Sequence, residues 1–146
     1  MLRQHYDTDA LDASTLLAAI FGFLPPDDKR LRASVLAIAD ELTEHGFVLR
    51  YYRTGETDDG MSGKEGTFLI CSFWLVSALA IIGEEQRARD LMETLLWVAS
   101  PLGLFAEEFA VATGRHLGNF PQAFSHLALI EAEARIIVVE LLQEFS

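Results

Sequence analysis

The sequence predicts an all-α chain whose helices alternate between an inner and an outer layer, the arrangement of a toroid built from helical hairpins. Three observations carry this. The segment from Glu65 to Ile82 is almost wholly apolar from Phe68 onward, broken only by Ser72 and Ser77. An apolar helix of that kind needs neighbours on all sides. The segments around residues 27–45 and 84–99 instead carry one apolar stripe each and are otherwise charged. The order is apolar helix, one-faced helix and loop, twice over, followed by a last apolar helix. Loops that follow the outer helices then gather at one end of the ring, where a site would lie.

The first ten residues are polar and read as frayed or extended. Residues 11–24 form the first inner helix, with Leu16, Leu17, Ile20, Phe21 and Leu24 as its stripe. Asp9 or Asp12 can cap its start, and Pro25-Pro26 stops it. Asp27-Asp28 open the first outer helix, where acids favour an N-terminus. Leu31, Val35, Ile38 and Leu42 make its stripe, and Gly46 suits the position just past its end. Residues 47–52 are a brief strand or extended return. Residues 53–64 are a loop by composition, long enough to suggest a function. The second outer helix places Ala88, Leu91, Leu95 and Val98 inward, and Pro101 and Gly103 break it. The last helix has Pro121 in its first turn.

At 146 residues the chain fits one domain and can bury a sizeable core. Hydrophobic residues make up 51%, with a mean hydropathy of +0.23. No apolar run reaches the roughly 18–20 residues of a membrane span. The formal net charge of −11 argues against nucleic acid and against an anionic membrane surface. A neutral substrate or a protein partner fits better. Cys71 is the only cysteine, so neither an intrachain disulfide nor a cysteine metal cluster can form. Met1 leads into polar residues and not into an apolar signal segment, so a cytoplasmic location is expected. No phosphate-cradling glycine loop and no metal-binding HExxH motif occurs, and no cofactor or metal is expected.

The chemistry is sought in residues 101–126. Glu107 and Glu108 stand there between apolar residues, followed by a Thr-Gly turn and a Gly-Asn-Phe-Pro segment. Two adjacent carboxylates cannot point the same way in a helix or strand. One can face a cleft while the other makes a structural contact. A carboxylate in an apolar surround can act as an acid or base near neutral pH; the alternative is a solvated acidic pair. Arg50, among Leu49, Tyr51 and Tyr52, can clamp hydroxyls or a carboxylate, or pair with a nearby acid. Glu65 can complement the helix dipole or meet sugar hydroxyls. Trp74 lies deep in the inner helix, and His126 reads as a satisfied core histidine.

Three stretches taken together resemble the C-terminal part of glycoside hydrolase family 15, which contains glucoamylases and bacterial trehalases. They are residues 65–76 (Glu-Gly-Thr-Phe-Leu-Ile-Cys-Ser-Phe-Trp-Leu-Val), 103–108 (Gly-Leu-Phe-Ala-Glu-Glu) and 118–130 (Gly-Asn-Phe-Pro-Gln-Ala-Phe-Ser-His-Leu-Ala-Leu-Ile). Residues 11–14, 22–25 and 50–52 fit in the same order. The resemblance implies an all-α (α/α)6 toroid, of which residues 1–146 would be one partial domain. It implies hydrolysis of α-glucosidic bonds with inversion, Glu107 as general base with Glu108 the second choice, and Arg50 holding sugar hydroxyls. Tyr51 and Glu65 would be pocket residues. Two departures stand out. The family's general acid lies in an upstream Trp-Glu segment that this chain lacks, so one wall of the pocket is expected, with either self-association or a partner carrying the N-terminal half; the alternative is a non-catalytic truncated helical domain that self-associates or binds a partner chain. And where relatives often have Glu-Tyr-Asp-Pro after the base, this chain has Glu108-Phe109-Ala110-Val111.

Overall fold

The helix α3, Leu69–Ile81, is the post around which the other elements pack. Ten of its 13 residues are buried, as its unbroken apolar sequence requires. The structure, a computed structural model, describes residues 1–51 and 66–145. Residues 52–65, which include the predicted loop and Glu65, lie outside the described residues.

Around α3 stand α1 (Leu17–Ile20), α2 (Lys29–Glu41), α4 (Glu85–Trp97) and α5 (Ala123–Glu144). The helices α2 and α4 are the one-faced outer pair. The predicted stripe Leu31, Val35, Ile38 and Leu42 is fully buried. In α4 the inward residues are Ala88, Met92 and Leu95, with Leu91 half-buried beside them. Salt bridges Arg32–Glu84 and Arg87–Asp40 tie the two outer helices on their solvent side. The helix α5 meets α3 through a thin line of small residues, Ser125, Ala128 and Ala132, with Ile136 beyond. Small side chains let two helices approach closely, and the rest of α5 is left for other contacts.

Several boundaries differ from the sequence reading, each for a local reason. The first inner segment is a 3-10 turn, Ala13–Leu16, running into the four-residue α1. Asp12 caps it, its carboxylate accepting from Ser14 N–H at 2.7 Å, and Gly22 at φ +65° turns the chain before the prolines. Gly46 is a hairpin residue and not a helix cap: α2 ends at Glu41 with Leu42 as its cap, and β1 (Thr43–Glu44) pairs with β2 (Phe47–Val48) through a turn with His45 at φ +51° and Gly46 at φ +90°. The inner helix begins at Leu69, later than predicted, because Thr67–Phe68 form β3. That strand pairs with β4 (Glu108–Ala110), which pairs in turn with β5 (Arg115–Leu117). The predicted Thr-Gly turn joins them, with Gly114 N–H bonded to Ala110 O at 2.8 Å. Pro121 precedes α5 and is not in its first turn, since Gln122 N–H is engaged by Phe105 O at 2.9 Å before the helix starts.

Candidate active site

Three segments distant in sequence meet at the N-terminal end of α3. The first is the 3-10 turn with Asp12 and Ser14. The second is the chain leaving β2. Val48 N–H bonds Ser72 Oγ of α3 at 2.9 Å, Ala13 N–H bonds Arg50 O at 2.9 Å, and Tyr51 bridges Asp12. The third is the small sheet β3–β4–β5. The first N–H of α3, on Leu69, is capped by the carbonyl of Glu107 at 3.1 Å. A helix start needs such partners, and here the candidate base provides one.

Glu107 and Glu108 diverge, one of the arrangements open to adjacent acids. Glu107, half-buried just before β4, turns its carboxylate toward Asn119. Oε2 accepts from both the backbone N–H and the Nδ2 of Asn119, each at 3.2 Å, while Glu107 N–H bonds Asn119 O at 3.0 Å. Gly118 makes room for this. A Cβ there would lie 2.8 Å from Glu107 Oε2, and its φ of +70° disfavours any other residue. Glu108 opens β4, and its Oε2 accepts from Gly66 N–H at 2.7 Å, stitching the sheet's edge to the chain leading into α3.

A cavity of about 260 Å³ opens at this junction. Glu107 and Arg50 both line it, so two of the predicted site residues come together. The Arg50 guanidinium lies 5.8 Å from the centre of the Tyr51 ring. Tyr51 is adjacent but does not line the cavity, nor does Glu108; Glu65 lies outside the described residues. Asp12, Ser14, Gln122 and Ser125 add polar groups, and Trp74, Phe68 and Phe124 add aromatic faces. A pocket with apolar faces and a few converging polar groups suits a small polar ligand. Trp74 is half-buried and reaches the wall despite its place in the middle of α3. Asp12 was legible only as a cap. Asn119, Gln122 and Ser125 lay within a recognised motif, but their spacing gave no sign of a role.

Cys71 also lines this wall. Burial pushes its thiol up to about 12, Arg50 opposing and Asp12 adding to the shift. His126 is a satisfied histidine, as its position suggested: Nδ1–H donates to Gln122 O at 2.7 Å and Nε2 accepts from Phe105 N–H at 3.3 Å. Among the described residues no group of three or more His, Cys, Asp or Glu could hold a metal ion, and no helix is long and apolar enough to cross a membrane.

The family model "Glycosyl hydrolases family 15" matches residues 2–96 and 81–134. The chain belongs to this family. It is 66% identical over 140 residues to a trehalase of Mycolicibacterium smegmatis, covering 96% of this chain and 21% of that protein. A trehalase of Mycobacterium tuberculosis is 66% identical over 137 residues, with 94% and 20% covered. One from Thermoplasma acidophilum is 40% identical over 133 residues, with 91% and 22% covered. The chain thus spans about a fifth of the length of these relatives. Among solved structures, a wild-type glycosidase superposes with a TM-score of 0.71 at 23% identity, over 89% of this chain and 37% of that one. The fold is that of a glycosidase, and the two helical layers form an incomplete arc compatible with part of an (α/α)6 toroid.

Proposed function

We propose that the chain forms one wall of the active site of an inverting α-glucoside hydrolase of the trehalase type, with Glu107 as general base. The observation that carries this is the convergence of Glu107, oriented by Asn119, with Arg50 at one cavity. In an inverting hydrolysis one carboxyl protonates the leaving oxygen and a second takes a proton from water, the two about 6.5–9.5 Å apart across the sugar. Glu107 takes the second role. Asn119 occupies Oε2, and Oε1 accepts the water proton. The water oxygen bonds to the anomeric carbon as the glycosidic bond breaks, and the departing oxygen receives its proton from the other carboxyl. Arg50 holds sugar hydroxyls as a rigid donor fork. Tyr51 braces Arg50, and Glu65 contributes a further pocket acid.

The general acid then comes from polypeptide that completes the ring. The exposed apolar face of α5, with Phe124, Leu127, Ile130, Val138 and Leu142, supports this. A patch of that extent marks an interaction surface. The remaining part of the toroid covers it, or a second copy does when that part is absent. The chain alone is expected to self-associate and to be inactive on trehalose. Sedimentation showing a well-behaved monomer with no apolar patch accessible to a hydrophobic dye would count against this covering.

The function is tested by assaying trehalose hydrolysis in the completed enzyme and following the anomers by NMR. Initial product of inverted configuration is expected, and Glu107→Gln should abolish most turnover. Full activity of that variant would sink the assignment of the base.

A further inference from the structure

Phe105, Ala106 and Glu107 belong to neither helix nor strand, and Phe105 and Ala106 are buried. Buried backbone outside regular structure must find other partners. Here all six backbone polar groups do. Gln122 N–H, Ser125 Oγ and Leu69 N–H donate to the carbonyls of Phe105, Ala106 and Glu107, at 2.9, 2.8 and 3.1 Å. On the donor side, Glu107 N–H goes to Asn119 O at 3.0 Å. The other two N–H groups are each received by an imidazole: Phe105 N–H by His126 Nε2 and Ala106 N–H by His116 Nδ1, both at 3.3 Å.

The far nitrogen of each ring meets a carbonyl, which can only accept. His126 Nδ1–H donates to Gln122 O at 2.7 Å, and His116 Nε2–H donates to Val98 O at 2.8 Å. The two neutral rings must therefore be opposite tautomers, and each bridges the segment to a helix end. His116 reaches the C-terminal end of α4, and His126 the start of α5. Aromatic neighbours hold the rings: Phe105 lies edge-on to His126 at 5.8 Å, and Phe109 and Phe120 flank His116 at 5.6 and 5.7 Å.

We propose that His116 and His126 are positioning residues that fix the backbone leading into Glu107, and through it the carboxylate, between the outer and inner helical layers. This rests on the assignment of Glu107 as base. A displacement of about 1 Å at a reacting group lowers turnover about a hundredfold, so the effect falls on kcat while sugar binding is kept.

Two measurements test it. Long-range proton–nitrogen NMR of the folded protein should show His126 protonated on Nδ1 and His116 on Nε2. The same tautomer on both rings would overturn the proposal. In the completed enzyme acting on trehalose, His116→Leu and His126→Leu should each lower kcat about ten- to a hundredfold with KM within about threefold. His116→Asn and His126→Gln, whose amide oxygens replace the accepting nitrogens, should recover most of that loss. No recovery, or kcat and KM moving together, would overturn it, and the amide variants keep the test open if the leucine variants do not fold. Glu107→Gln in the same assay separates the two readings. If it is fully active the base assignment fails, and the histidines are then shown to support the fold without positioning a base, whatever their tautomers.

Discussion

Glu107 and Glu108 are adjacent, identical in type and both half-buried, yet they do different things. Glu108 opens a strand, and its carboxylate takes a backbone N–H from the opposite segment at 2.7 Å. Glu107 stands one residue earlier, outside the ladder, and is held through one oxygen by a loop residue at the rim of a cavity. The difference lies in the donors around them. A carboxylate with a short bond into a sheet edge is part of the scaffold, whereas one held on one side beside a cavity can meet a water. Each depends on a nearby glycine: Gly118 clears space for Glu107, and Gly66 lets the chain pass beside Glu108 and Phe109 O.

The largest contrast should come from removing each charge. Glu107→Gln is expected to lower turnover of the completed enzyme by about 10²–10⁴, the range for loss of a general base, with little change in urea-unfolding stability, since the amide oxygen can still accept from Asn119. Glu108→Gln replaces a charge-assisted bond by a neutral one and should destabilise by about 1 kcal/mol, with turnover within a few-fold. If Glu108→Gln were the inactive variant, the roles would be exchanged.

The glycines come next. Gly118→Ala puts a side chain at φ +70°, which costs roughly 1–2 kcal/mol, and its Cβ pushes on the Glu107 carboxylate. Both stability and turnover should fall, the latter about tenfold or more. Gly66→Ala meets backbone, with Phe109 O at 3.0 Å. Overpacking of that kind costs about 1–3 kcal/mol, and turnover should hold in whatever fraction remains folded. A Gly118→Ala enzyme with normal kcat would break the link between that glycine and the site.

The helical layers were legible because periodicity reports burial directly. One stripe marked α2 and α4 as outer, and an unbroken apolar run marked α3 as inner. The sheet β3–β4–β5 was not legible, since its strands are two or three residues long and no alternation can build up over that length. Its pairing is imposed by contacts such as Thr67 Oγ1 to Phe109 O at 2.8 Å, between residues far apart in sequence. Glu107 was singled out by a family resemblance that the family model and the trehalase relatives bear out; its role awaits the experiments above. The role of His116 could not be read, because its ring pairs only with backbone atoms, which leave no signature in side-chain identity, and that of Asn119 could not because its partner Glu107 lies twelve residues away across a loop of no regular period. Phe109 is buried against Phe47 at 5.2 Å and His116 at 5.6 Å, a packing role that its apolar character permits.

The smallest effect sharpens the same contrast through Cys71. The thiol sits in the first turns of α3, close to the segment that Glu108 ties and the helix start that Glu107 O caps. Burial raises it from an ordinary 9.0 to about 12. The unfolded thiol ionises first, so this group leaves stability intact below about pH 9 and removes it progressively as pH rises toward 12. Alkylation requires both exposure and thiolate, so iodoacetamide at pH 8 should react slowly with the native chain. Glu107→Gln keeps its backbone cap on α3, and the rate should not change. Glu108→Gln loosens the tie to Gly66, and local opening should raise the rate a few-fold. Equal rates in the two variants would mean that the Glu108 bond does not restrain the start of α3, and the division between scaffold and site would then rest on the cavity alone.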